Sequence, residues 1–223
     1  MRNSFIVGHP LLERIDEFNS LDRVELNRKF NLNKIKDILL ILPGSRQNEV
    51  KKIFPETIKA ATKVADEFDL QIVVACASNI DKSVFGRLST TNNYKIIKEY
   101  TYDLLKHSKL GIIKSGTSTL EAGLFNLPMV IVYKTNYLTY LIGKNIIKLD
   151  YIGLVNIVLG KKVVPELIQN SVSSETIYNE CKNILSDRQI YFSIKNDLNP
   201  LKEKLGSKGA SEKAAKIIYD CLK

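Results

Sequence analysis

The stretch KSGTSTLEAGLFNLPMVIVYK, Lys114 to Lys134, decides how the chain is read. It opens with the small polar residues Ser115, Gly116, Thr117, Ser118 and Thr119, passes through a short helical pattern, and ends after Pro128 in the run MVIVY. Immediately upstream, LGIIKSG (Leu110–Gly116) is a strand-like run. The order is therefore strand, polar loop, helix, strand. A simple turn needs fewer small polar residues, and a buried strand needs none. Several hydroxyls and backbone N–H groups at the start of a helix suit an anionic ligand that must approach the backbone closely.

The same alternation extends outward. DILLILPGS (Asp37–Ser45) is a β-type run broken at Pro43-Gly44. Val50, Ile53, Phe54, Ile58, Ala61, Val64, Ala65 and Phe68 then recur at spacings of three and four, which is one face of a helix. Pro55 is expected to break that helix into a short first turn and a restart. QIVVACA (Gln71–Ala77) is a second strand, KIIKE (Lys95–Glu99) a third, LGIIKSG a fourth and PMVIVYK (Pro128–Lys134) a fifth, with YDLLKHS (Tyr102–Ser108) a short helix. From Pro165 on, the pattern reads as helices: PELIQ, then SSETIYNECKNILSD, then a run ending in GASEKAAKIIYDCLK. Ser174, Thr176 and the periodic Ile177, Cys181 and Leu185 mark a helix start. Near-continuously apolar strands with helices between them specify an α/β chain, a Rossmann-like doubly wound parallel sheet covered on both faces. Ligands of such sheets bind beyond the carboxyl ends of the strands.

Composition narrows the function classes. With 223 residues and 44% apolar content the chain can bury a substantial core. No apolar run approaches the roughly 18 residues of a membrane span, and MRNSFIVGHPLLERID lacks the apolar centre of a signal peptide, so a cytosolic protein is expected. Cys76, Cys181 and Cys221 are far apart and follow no metal-ligand spacing, as expected of thiols in a reducing compartment. With only His9 and His107 beside them, a zinc site or a Ser-His triad has little to draw on, and neither metal nor cofactor is expected. The net charge of +9 attracts nucleic acid, anionic lipid or phosphorylated small molecules, or reflects only a composition rich in Lys, Asn and Ile. There is no Arg-rich block, RNA-binding aromatic motif or zinc-knuckle spacing, so nucleic acid is not the expected partner.

Three loops carry candidate chemistry. In LPGSRQNEV (Leu42–Val50), Pro43-Gly44 turns the chain, Ser45 is placed to cap the next helix, and Arg46 stands at its N-terminus. A guanidinium there opposes the helix dipole at a cost of a few tenths of a kcal/mol. The placement makes sense if a phosphate sits between helix N–H groups and a bidentate Arg46; a surface pair with Glu49 accounts for it equally. In the opening stretch, Gly116 lets the backbone approach a ligand, with Ser115, Thr117 and Thr119 binding a diphosphate and Glu121 accepting from ribose hydroxyls. Ser118 and Glu121 also have capping-box spacing, which gives Glu121 a purely structural role. In LDYIGLVNIVLGKKVVPELIQ (Leu149–Gln169), Asn156 lies among apolar residues and must find partners, at a site or as a brace of the loop. Glu166 and Gln169, three apart, share one face of the expected helix, at a site or as ordinary helix surface.

Six of these motifs, in register, resemble the lipid-A-disaccharide synthase family: VGHPL (Val7–Leu11), ILPGSR (Ile41–Arg46), SGTSTLEA (Ser115–Ala122), PMVIVYK, LDYIGLVNI (Leu149–Ile157) and VPELIQ (Val164–Gln169). The resemblance covers nearly the whole chain. It implies a B-type glycosyltransferase of two Rossmann-like domains, metal-independent and inverting, at the inner face of the inner membrane. Such an enzyme moves 2,3-diacylglucosamine from its UDP donor to 2,3-diacylglucosamine 1-phosphate, the lipid X type acceptor. It implies Arg46 and Asn156 as catalytic residues. Gly44, Ser45 and Arg46 would hold the donor with Ser115, Gly116, Thr117 and Thr119 at the diphosphate, Glu121 at the ribose, and Glu166 and Gln169 further off. Val155 departs from the family, which usually has Pro before the Asn. Residues 1–223 would be the donor-binding domain, with 170–223 its C-terminal helical segment. The N-terminal acceptor domain, with the general base, would be absent or supplied by a partner chain, leaving this half inactive alone. The alternatives are another UDP-sugar glycosyltransferase or epimerase domain, or a non-catalytic nucleotide-binding module. YKTNYLTYLIGKNIIKL (Tyr133–Leu149) mixes Tyr137, Tyr140 and Leu141 with Lys144 and Lys148, an amphipathic basic stretch for anionic lipid or the donor's acyl chains, or a helix packed on the sheet or partner domain.

Overall fold

In the computed structural model, which describes residues 5–135 and 150–222, the sheet grows around β1 (Asp37–Leu42). Ile38 to Leu42 are all buried, because parallel neighbours flank the strand and helices cover both faces. β2 (Leu70–Cys76) pairs on one side and β4 (Ser108–Lys114) on the other. β3 (Lys95–Lys98) extends the sheet beyond β2, and β5 (Met129–Tyr133) and β6 (Glu166–Ile168) extend it beyond β4. The order is β3-β2-β1-β4-β5-β6, parallel throughout. The chain moves outward from β1 to β3, then returns to the centre to place β4, so the direction of winding reverses between β1 and β4. A crevice opens at the carboxyl ends of two strands where winding reverses.

Two short helices, α1 (Leu11–Asp16) and α2 (Arg23–Phe30), precede the sheet. α3 (Gln47–Phe68) leads from β1 to β2, α4 (Ser83–Leu88) lies between β2 and β3, α5 (Thr101–His107) between β3 and β4, and α6 (Thr117–Leu124) between β4 and β5. α7 (Leu154–Leu159) precedes β6. The chain then runs through α8 (Ser174–Ser186), α9 (Arg188–Leu198), α10 (Leu201–Lys204) and α11 (Ala210–Cys221). The two ends of the chain meet: Asp16 pairs with Lys202 and Lys208, and Glu13 accepts from Ser211.

The five expected strands form, with ends shifted by a residue or two. Three expectations are corrected. α3 runs unbroken through Pro55. Val50, Ile53, Phe54 before it and Ile58, Ala61, Val64 after it are buried on one face, and that packing outweighs the lost N–H bond. PELIQ is not helical: Glu166–Ile168 is β6, held in extended form by pairing with Ile131–Tyr133, and Gln169 begins a single 3₁₀ turn at φ +52°. Glu166 and Gln169 therefore share no helical face. α8 starts at Ser174 as expected, but its cap is Ser173, whose hydroxyl accepts from the Thr176 N–H.

Candidate functional site

The loops after β1 and β4 meet in a cleft of about 380 Å³ at the reversal point. Leu42, Gly44, Ser45 and Arg46 form one wall, Lys114, Ser115, Gly116, Thr117 and Ser118 the other, with Glu49, Thr101 and Glu121 between. Depressions of about 420 Å³ at Asn31–Lys95 and about 630 Å³ between α8 and α9 lie elsewhere. Neither combines cations, hydroxyls and helix N-termini at the strands' carboxyl ends, so chemistry, not size, selects the cleft at β1 and β4.

Gly44 turns the first wall with φ +114°, a value that L side chains rarely adopt. A Cβ there would lie 2.6 Å from Glu49 Oε2, so a glycine lets Glu49 fold back over the turn. Arg46 is the N-cap residue of α3 and makes no side-chain cap bond, so Ser45 is not the cap expected of it. Ser45 instead offers its carbonyl to Asn79 Nδ2 at 2.9 Å. Arg46 is 82% exposed, with Nη1 3.7 Å from Glu49 Oε1. Its pairing with Glu49 is real but loose, and the guanidinium is free to turn toward a ligand.

Gly116 opens the second wall at φ +156°, and a Cβ on it would meet only Lys114 Nζ, at 3.9 Å. Gly116 is also the N-cap of α6, so the N–H groups of Thr117 and Ser118 have no intrahelical acceptor. The capping box does not form. Ser118 lies inside the first turn and its hydroxyl donates to Lys114 O, while Glu121 accepts from the Tyr102 hydroxyl at 3.0 Å. Burial, reinforced by the Glu121 charge, pushes the Tyr102 hydroxyl up to about 12, so it stays a donor to Glu121. Thr119 is buried and turned inward, its Oγ1 donating to Gly116 O; it braces the loop and presents nothing to the cleft.

Asn156, expected at the site, is a brace. It is 0% exposed, and each of its bonding positions is filled. Nδ2 donates to Val164 O at 2.9 Å and Glu166 Oε1 at 2.8 Å, and Oδ1 accepts from Val163 N and Val164 N. Glu166 is equally engaged: Oε1 accepts from Gly153 N and Oε2 from Ile152 N. Gln169 Oε1 accepts from Thr135 N. None of the three lines the cleft. They reach it at second hand, because Ser115 Oγ donates to Ile152 O at 2.8 Å and Asn156 and Glu166 fix the loop carrying Ile152. Tyr137, Tyr140, Leu141 and Lys144 lie outside the described residues.

The cleft thus gathers Gly44, Ser45, Arg46, Ser115, Gly116, Thr117 and Glu121 from the expected set. It adds Lys114 and Thr101, which sequence reasoning passed over. Lys114 had a signal: it is the charged residue closing the apolar run LGII at a strand's carboxyl end. Thr101 had none, as its place follows from the position of α5 beside the cleft.

Solved structures with this fold include Staphylococcus aureus MnaA with UDP (17% identical, TM-score 0.65, covering 97% of this chain and 52% of that one). A putative UDP-N-acetylglucosamine 2-epimerase from Listeria monocytogenes is similar at 12% identity, TM-score 0.61, covering 98% and 53%. At these identities the likeness concerns the fold, the Rossmann-like half of B-type glycosyltransferases and epimerases. Sequence relatives are nearer. Lipid-A-disaccharide synthases of a Sulfurihydrogenibium species and of Geobacter sulfurreducens are each 36% identical over 97% of this chain. The chain spans 58% and 56% of their lengths. The family description "Lipid-A-disaccharide synthetase" matches residues 3–219. With the match running through both walls of the cleft and the brace behind it, the chain belongs to the lipid-A-disaccharide synthetase family.

Proposed function

We propose that this chain is the donor-binding half of a lipid-A-disaccharide synthase, holding UDP-diacylglucosamine by its diphosphate in the cleft between β1 and β4. The observation that carries the reading is that Arg46 and Lys114 line one cleft with Gly116, Thr117 and Ser118 at the N-terminus of α6. Helix N–H groups fixed by the fold stabilise charge where it develops, here on the departing UDP, and the mobile Arg46 guanidinium turns in to join them. Glu121, one turn into α6, is placed for the ribose hydroxyls, with Tyr102 steadying its carboxylate. The reaction is transfer of the 2,3-diacylglucosamine unit to 2,3-diacylglucosamine 1-phosphate. The chain spans 58% and 56% of those relatives' lengths, and in this reading the acceptor site and the base that activates the acceptor lie in the remainder. The basic, aromatic stretch from Tyr133 to Leu149 supports contact with acyl chains or an anionic inner-membrane surface. Among the described residues no helix is long and apolar enough to cross a membrane.

Isothermal titration with UDP tests the reading. The chain is expected to bind UDP, to lose about tenfold or more in affinity on Arg46→Ala, and to turn over no substrate until an N-terminal half is added. A folded chain that ignores UDP, or binding untouched by Arg46→Ala, refutes the assignment. Products formed with acylated and unacylated UDP-sugars separate this activity from an epimerase.

A further inference from the structure

Lys114, on one wall of the cleft, meets Glu49, which lies between the two walls. Lys114 Nζ lies 3.0 Å from Glu49 Oε1, and both side chains are 18% exposed. The same Oε1 lies 3.7 Å from Arg46 Nη1, so one carboxylate oxygen is shared between two cations from two loops. Its other oxygen lies against the Gly44 turn. The ammonium also stands beside the Gly116 backbone, where a Cβ would find Lys114 Nζ alone, and 5.9 Å from the Tyr133 ring centroid. An anion that approached Gly116 and the first-turn N–H groups of α6 would come within reach of this ammonium. It would also meet the Glu49 carboxylate, which already occupies the space between both cations.

From this geometry we infer that Lys114 is a second phosphate-binding cation of the cleft and that Glu49 competes with the ligand for it. A nucleoside diphosphate takes over the contact with Lys114, and Glu49 is displaced toward Arg46 and solvent. The exchange swaps one charge-assisted contact for another, so the lysine is held in place for a ligand without being left uncompensated. The carboxylate also sets a specificity: an anion must outcompete it for Lys114, which favours the more highly charged diphosphate over a monophosphate. This inference rests on the donor-nucleotide reading above.

The test is titration of UDP into the full chain and into Lys114→Met, Glu49→Gln and the double variant, with thermal melts to confirm folding. Lys114→Met is expected to weaken UDP binding about tenfold, the size of one charge-assisted contact. Glu49→Gln removes the competing charge and is expected to tighten UDP binding severalfold. The double variant separates ligand contact from latch: in it the ion pair is gone already, and it should still bind UDP more weakly than Glu49→Gln alone. Equal affinity of those two, or weaker binding by Glu49→Gln, overturns the inference while leaving the donor reading intact. Absence of UDP binding by the unaltered chain removes the donor reading and this inference with it.

Discussion

Replacing Asn156 by Ala distinguishes a brace from a ligand. The substitution strips four hydrogen bonds at once, three of them buried and one partly buried. It leaves Val163 N, Val164 N, Val164 O and Glu166 Oε1 without that partner in a site that is 0% exposed. Glu166 Oε1 keeps the Gly153 N–H, so at about 1–3 kcal/mol for each of the three backbone groups the simple sum is about 3–9 kcal/mol. A water entering the vacated volume can take over part of the bonding, which brings the expected loss to about 3–5 kcal/mol. That is a large share of the roughly 5–15 kcal/mol that holds a typical domain. Urea unfolding followed by circular dichroism reads it as a lower midpoint at constant slope. Asn156→Asp should also destabilise, since a carboxylate oxygen would then face Glu166 Oε1, 2.8 Å from the present nitrogen. The reasoning is refuted if Asn156→Ala stays within about 1 kcal/mol of the unaltered chain while losing UDP binding. That pattern belongs to a residue that touches the donor.

Two other outcomes follow from geometry at the cleft. Gly44→Ala places a Cβ 2.6 Å from Glu49 Oε2 at φ +114° and should cost about 1–3 kcal/mol, read as a lower Tm; an unchanged Tm would show that the turn relaxes freely. Tyr102 has its hydroxyl raised from 10.0 to about 12 by burial and by Glu121, so it favours the folded state fully below pH 10, and that contribution is lost as pH rises through about 12. Stability measured against pH across this range should fall more steeply for the unaltered chain than for Tyr102→Phe, and parallel curves would contradict the assignment.

How much was legible depended on where each residue's conformation is decided. β1, β2, β4 and β5 are apolar runs buried on both faces, and their own sequence announces them. β6 is three residues, ELI, whose extended form comes from Ile131, Val132 and Tyr133 alongside it, and no periodicity exists in so short a run. Pro55 was read by its local preference, and the buried face of α3 overrode it. Ser118 and Glu121 had the spacing of a cap, but the cap of α6 is Gly116, which puts Ser118 two positions too far inside. Arg46 and the Ser115–Thr117 run were found because loop chemistry after a strand is local. Lys114 with Glu49 was not, because their meeting depends on β1 and β4 being neighbours in the sheet. Asn156 was recognised as needing partners, and only the fold could say that backbone and Glu166 supply all of them.

The brevity that hid β6 has a consequence for solubility. A sheet has two outer strands whose unpaired backbone groups can recruit another chain. Among the described residues those strands are β3 and β6, of four and three residues. β3 reads KIIK, with an exposed Lys95 at one end and Lys98 at the other. Among the described residues neither margin offers a long, flat, uncharged template, and the long apolar strands β1, β2, β4 and β5 lie inside the sheet. During synthesis and refolding, chains crowded together should find little to pair with along either side.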